Sequence, residues 1–211
     1  MRYYPVYLDL RDRPCVIVGG GRVAERKALS LLEAGADVTI VSPTLTPKLE
    51  TLFLSGNITH KSKVFDDHDI TGSHLVIAAT DSQELNSGIG NLCRKKNILV
   101  NVATSPEEST FIVPSVVDRG GLLIAISTGG ASPALAKKLR RELEAAFGPE
   151  YEVFIEKMTV MRNVLLKEVP DEGTRRVLFQ RLVDSNVLEL LKQGKVQEAD
   201  HLIREISGMN G

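Results

Sequence analysis

Apolar positions in the first half of the chain fall in short continuous runs, at residues 15–18, 37–41, 75–79 and 99–102, with a weaker one at 58–63. Each run has strand length. The sequence between them (22–33, 47–55 and 82–96) is rich in Ala, Leu, Glu and Lys, or recurs at helical spacing. Continuous apolar strands alternating with helices predict a parallel sheet covered on both faces, with 58–63 at an edge. The expected fold class is therefore α/β, a Rossmann-like doubly wound parallel sheet whose ligands sit beyond the strand C-termini.

The pattern changes after Pro114. Residues 111–113 and 122–127 read as two strands joined through Asp118-Arg119-Gly120-Gly121, a turn signal. Ser132 followed by Pro133 marks a helix start, and that helix should run to about Phe147 and stop at Gly148-Pro149. Residues 151–208 read as helical, broken at 169–173 and near Gln193-Gly194. Three parts follow: a dinucleotide-binding Rossmann domain over 1–113, a small αβ connecting module over 114–148 and a helical C-terminal domain over 149–211.

The first strand runs into Gly19-Gly20-Gly21, and the helix after it holds Ala24. Read as Gly19-x-Gly21-x-x-Ala24, this is a dinucleotide-binding turn with alanine in the third small position. Gly19 permits the tight turn, Gly21 removes the Cβ that would keep a pyrophosphate off the backbone, and Ala24 lets helix and strand pack closely. The N–H groups of the first helical turn would face the phosphates. At the end of the second strand, where an acidic residue usually bonds the adenosine ribose, stands Ser42. A hydroxyl and loop N–H groups could still bond the ribose. NAD is the expected cofactor, with NADP left open by the missing carboxylate.

Composition narrows the class further. At 211 residues, 43% hydrophobic and 25% charged, the chain is of ordinary globular make-up. A net charge of −1 argues against a nucleic-acid partner. Cys15 and Cys93 sit in apolar settings and suggest neither disulfide nor zinc, and four scattered histidines lack ligand spacing. No metal site is expected; Asp66-Asp67-His68 reads as a solvated turn. With no leader and no membrane-length apolar run, the expectation is a cytoplasmic protein with no membrane partner.

Polar residues cluster where a doubly wound sheet would put its ligand rim. Thr80 and Asp81 follow the third long apolar run, with Asn86 in the next helix; Asp81 or Ser82 could equally cap that helix. Asn101 and Thr104 follow the next strand, well placed for a substrate. Ser127, Thr128, Gly129 and Gly130 lead into a helix N-terminus, suited to a carboxylate or phosphate. The helix they open carries Lys137, Lys138, Arg140 and Arg141, either a solvated face or an anion-binding one.

Taken in order, Tyr4-Pro5-Val6-Tyr7-Leu8-Asp9-Leu10, Val16-Ile-Val-Gly-Gly-Gly21, Val23-Ala-Glu-Arg-Lys-Ala28, Ala78-Ala-Thr-Asp81, Asn101-Val102, Phe111-Ile-Val-Pro-Ser115 and Ser127-Thr-Gly-Gly-Ala-Ser-Pro133 resemble the precorrin-2 dehydrogenase / sirohydrochlorin ferrochelatase family, the siroheme-synthase N-terminal module. The resemblance spans the whole chain and is specific to about Phe147. It implies NAD-dependent oxidation of precorrin-2 to sirohydrochlorin in siroheme (porphyrin-type tetrapyrrole) biosynthesis, and a homodimer formed largely through the middle module. Some members also insert Fe²⁺. By the same resemblance Arg22 and Val23 would meet the pyrophosphate, and Pro43 and Thr44 would lie by the adenosine ribose. Arg119, with Lys137 and Lys138, is a candidate for holding the carboxylates of the substrate. The family commonly has an aspartate shortly after the Asn-Val step, where this chain has Thr104, so the catalytic proton acceptor is unknown. Two other readings stand beside oxidation: sirohydrochlorin ferrochelatase, alone or as a second activity, and a non-catalytic dinucleotide- or tetrapyrrole-binding protein.

Overall fold

A computed structural model describes residues 3–208. The chain divides into two compact units, Met1–Val113 and Pro114–Gly211. In the first, β1 (Pro14–Val18), α1 (Arg22–Glu33), β2 (Asp37–Val41), α2 (Pro47–Leu54), β3 (Thr59–Lys61), β4 (Leu75–Ala78), α3 (Gln83–Lys95) and β5 (Leu99–Val102) follow in order. All five strands are parallel, in the order β3-β2-β1-β4-β5. Period-two alternation sends Cys15 and Ile17 of β1 to a core shared with Ala24, Ala28 and Leu49 of α1 and α2. Val16 and Val18 go to the opposite core, with Ile89 and Cys93 of α3. The sheet is thus covered on both faces, and its strand order reverses between β1 and β4.

The two cysteines lie on opposite faces of that sheet, both fully buried and free. Burial pushes each thiol up to about 11, with the Asp37 carboxylate adding to the effect at Cys15. Iodoacetamide at pH about 8 should therefore modify neither cysteine in the native protein and both in denaturant. Mass spectrometry reads the outcome; labelling of the native fold would contradict the burial.

The stretch 111–113 is not a strand. The strand is β6 (Ser115–Arg119), antiparallel to β7 (Leu122–Ile126), and the pairing Arg119↔Leu122 leaves Gly120-Gly121 as a two-residue turn. Counting back from that turn, the register ends at Ser115, beyond Pro114. The preceding residues cover the outer edge of β5 instead. Val102 N–H donates to Ser109 Oγ (2.9 Å), Val100 N–H to Thr110 Oγ1 (2.8 Å) and Asn101 Nδ2 to the Phe111 carbonyl (3.2 Å). Hydroxyls there satisfy an edge that would otherwise be open to another chain.

The second unit continues with α4 (Pro133–Ala146), α5 (Glu150–Glu168), α6 (Glu172–Val183), α7 (Val187–Lys192) and α8 (Val196–Ser207). Phe154, Leu165, Leu182, Val187 and Ala199 form the core of its helices. One break falls at 184–186, where the pattern predicts continuous helix. There Ser185 Oγ donates to the Leu182 carbonyl (2.7 Å) and ends α6, a local bond that competes with the helical ladder.

Candidate dinucleotide cleft

At the C-terminal ends of β1, β2 and β4 lies a cleft of about 500 Å³. The glycine turn forms its floor, and each glycine there meets different surroundings. Gly19 adopts φ +118°, and a Cβ on it would lie 2.3 Å from the Ala79 carbonyl oxygen. Gly20 is tighter still, since a Cβ would lie 1.9 Å from the Thr44 carbonyl oxygen. Gly21 has nothing within 4 Å of a Cβ position. The first two glycines are demanded by the fold; the third faces open space.

Gly21 is also the N-cap of α1 and supplies no side chain to the first-turn N–H groups. A glycine with no packing reason to be one, at an uncapped 12-residue helix facing a cleft, fits a bound dinucleotide pyrophosphate. The β2–α2 loop is knit to the turn: Gly19 N–H donates to the Val41 carbonyl (2.9 Å) and Thr46 N–H to the Gly20 carbonyl (3.0 Å). Thr46 Oγ1 donates to Glu25 Oε2 at 2.6 Å and accepts from Leu49 N–H, joining the first turns of α1 and α2.

Among the residues singled out from sequence, Gly19, Gly21, Ser42, Pro43, Thr44, Thr80 and Asp81 all line this cleft. Arg22 and Val23 are exposed in the first turn of α1, next to it in the chain but not in its wall. Ser42 is buried; its carbonyl meets His60 Nε2 at 2.9 Å and its N–H donates to the Lys61 carbonyl. Ser82, not Asp81, caps α3, accepting from Leu85 N–H.

Asn86 is fully buried and grips Thr80 from both sides. Its Oδ1 accepts from Thr80 N–H (3.1 Å) and Oγ1 (2.8 Å), and its Nδ2 donates to the Thr80 carbonyl (2.9 Å). The same Nδ2 lies 3.5 Å from Thr104 Oγ1, the outer limit of a hydrogen bond. Asn101 and the exposed Thr104 are thus on the β5 rim, outside the cleft wall. Arg119, Ser127, Thr128, Gly129 and Gly130 belong to the second unit. Arg119 donates to the carbonyls of Phe147 (2.8 Å), Asp118 (2.7 Å) and Glu144 (3.1 Å), tying β6 to the end of α4. Ser127 Oγ accepts from Gly129 N–H and Thr128 Oγ1 from Ser132 N–H, shaping the approach to α4. On α4, Lys138 pairs with Glu142 and Arg140 with Glu144.

The wall also holds residues that no local motif marks: Lys63, Val64 and Phe65, after the edge strand. Lys63 Nζ pairs with Asp66 and, at 2.9 Å, with Asp69, which Lys61 also reaches at 3.2 Å. The Lys63 ammonium and the His68 N–H pull the Asp66 carboxyl down to about 2. Burial alone would raise Asp69, but the Asp66 N–H and the two ammonium groups outweigh it and hold this carboxyl low. Lys63 is raised in return.

Among the described residues, no group of three His, Cys, Asp or Glu could hold a metal, and no helix is long and apolar enough to cross a membrane.

A family model described as "Putative NAD(P)-binding" matches residues 6–115, and one described as "Sirohaem biosynthesis protein central" matches 119–146. The chain belongs to the NAD(P)-binding family of the first model, which spans more than half of it. The chain is 37% identical to a siroheme synthase of Methylobacillus flagellatus over all of its own length and 45% of the relative's. A siroheme synthase of Thioalkalivibrio sulfidiphilus is 40% identical over 94% of this chain and 41% of its own. The chain thus spans less than half the length of these relatives. Among solved structures, SirC, a precorrin-2 dehydrogenase, superposes with a TM-score of 0.80 at 27% identity, covering 96% of this chain and all of SirC. The Rossmann-like sheet, the antiparallel strand pair and the helical C-terminal part are the fold of that structure.

Proposed function

We propose that this chain oxidises precorrin-2 to sirohydrochlorin with NAD as hydride acceptor, in the formation of siroheme. The observation that carries this reading is the open cradle at Gly21, in a chain that a precorrin-2 dehydrogenase matches over its full length. Gly19, Gly21, Arg22 and Val23 hold the pyrophosphate, largely through N–H groups at the start of α1. Ser42, Pro43 and Thr44 bond the adenosine ribose, and Thr80 and Asp81 line the path across the sheet toward the substrate. When bound, the nicotinamide supplies the hydride acceptor.

The protein's own contribution is orientation. Holding a reduced macrocycle at the rim converts a bimolecular hydride transfer into a positioned one, worth several orders of magnitude in rate. Thr104 and the loop Ser127, Thr128, Gly129 and Gly130 meet the substrate and its carboxylates. Asn101 and Arg119 act by holding the Phe111, Glu144 and Phe147 carbonyls, which fixes the surfaces the substrate meets. Threonine hydrogen-bonds a substrate but is no base near neutral pH, so the proton leaves by another acceptor. Oxidation is favoured over metal insertion, because oxidation releases one proton besides the hydride whereas a divalent metal must displace two pyrrole protons with no carboxylate at position 104 to take them.

The active form in this reading is a cytoplasmic homodimer joined through 114–148. The outer face of the β6–β7 ribbon supports it: Val116 and Leu123, each 43% exposed, put an apolar surface opposite the face on which Val117 is buried. Sedimentation of the purified chain reads the oligomeric state.

An anaerobic assay with precorrin-2 and NAD or NADP, with and without Fe²⁺, tests the activity. NADH should form without metal. Metal insertion into sirohydrochlorin with no NADH would make the protein a chelatase, and tight tetrapyrrole binding with no turnover would make it a binding protein.

A further inference from the structure

The end of β2 carries no acidic residue to discriminate against a 2′-phosphate, yet the cleft wall holds charges from elsewhere. Lys63 is the one cation among the residues lining the cleft. It stands beside Ser42: Ser42 N–H and Lys63 N–H both donate to the Lys61 carbonyl, at 3.2 and 2.9 Å. Its ammonium does not stand alone. Asp66 and Asp69 both bind it, and Asp69, whose side chain is only 4% exposed, is itself anchored by Lys61 and by the Asp66 N–H. Two lysines and two aspartates make this group neutral overall.

We propose that Asp66 and Asp69, by holding Lys63, set the choice between NAD and NADP in this cleft, and set it toward NAD. This rests on the dinucleotide reading of the same cleft. A 2′-phosphate brings about two negative charges beside Ser42, where it must compete with two carboxylates for one ammonium group. The ribose hydroxyl of NAD makes no such demand. The selectivity usually supplied by one carboxylate at the end of the second strand comes here from the turn after the third. In this arrangement Lys63 is the specificity-determining residue and Asp66 a positioning residue acting through it.

Titration calorimetry with NAD and NADP on the purified full chain tests this with two variants that move the balance in opposite directions. Asp66→Asn leaves Lys63 held by Asp69 alone, with one carboxylate fewer to compete for it, and should raise the ratio of NADP to NAD affinity about fivefold to tenfold. Lys63→Gln takes the only ammonium from Asp66 and leaves Asp69 to Lys61 alone, and should lower that ratio by a similar factor. A merely structural role for the cluster would weaken both dinucleotides together and leave the ratio unchanged. An unchanged ratio in either variant, or a shift in the same direction in both, overturns the proposal. Wild-type protein binding neither dinucleotide would instead overturn the dinucleotide reading itself. Should Asp66→Asn fail to fold, Lys63→Gln alone still decides, since only a fall in the ratio is compatible with the proposal.

Discussion

Gly20→Ala should destabilise the first unit by about 2–4 kcal/mol, while Gly21→Ala, one residue on, should leave the melting temperature nearly unchanged and weaken dinucleotide binding at least about tenfold. The difference comes from what each new methyl group meets. At Gly20 it would lie 1.9 Å from the Thr44 carbonyl oxygen, and neither backbone can retreat freely because Thr46 N–H is bonded to the Gly20 carbonyl. At Gly21 it meets nothing within 4 Å, and φ −84° suits alanine as well as glycine. The small cost of alanine at an N-cap is offset by the lower entropy of the unfolded chain. Only a ligand lying against the start of α1 would feel that methyl group. Thermal melts and titration of NAD into both variants check the pair. Unaltered NAD affinity in Gly21→Ala would remove the cradle from the argument.

Asn86→Ala should lower stability by about 2–3 kcal/mol, because Thr80 loses its bonding partner at both N–H and carbonyl and the fully buried Asn86 side chain leaves a gap behind it. A drop of roughly 5–15 °C in melting temperature follows for a unit of this size. Dinucleotide affinity should fall as well, since Thr80 lines the cleft. Asn86→Asp should be nearly as damaging. It keeps an acceptor for the Thr80 N–H but turns a second oxygen toward the Thr80 carbonyl, where Nδ2 now donates at 2.9 Å. Calorimetric melting of the two variants distinguishes this two-sided grip from simple space-filling; an Asp variant as stable as the parent would exclude it.

Much of the architecture is legible along the chain because its causes are local. The spans 22–33, 37–41 and 99–102 read from apolar periodicity are the observed bounds of α1, β2 and β5. Ser132 with Pro133 starts α4 as capping chemistry requires, with Ser132 Oγ accepting from Leu135 N–H. The pattern misleads at 111–113, where apolar side chains sit on a segment whose neighbours bond the β5 edge through hydroxyls. It misleads again at 184–186, where one serine hydroxyl ends a helix inside a continuous helical pattern.

The cleft divides in the same way. The glycine turn, Ser42 and the pair Thr80-Asp81 are readable because motif and strand end lie next to each other in sequence, and a parallel sheet gathers all its strand ends at one rim. Lys63 and its two aspartates carry no such mark, as their position depends on β3 pairing beside β2. Gly20 likewise looks like a filler between two motif glycines until the Thr44 carbonyl is brought against it. By itself, then, the sequence determined the order of the elements and the cofactor-binding turn, which depend on neighbours a few residues away. Tertiary structure alone decided which glycine serves the fold, which asparagine holds the rim and which charges gather at the cleft wall, because each depends on groups from 6 to 60 residues apart that only the folded sheet brings together.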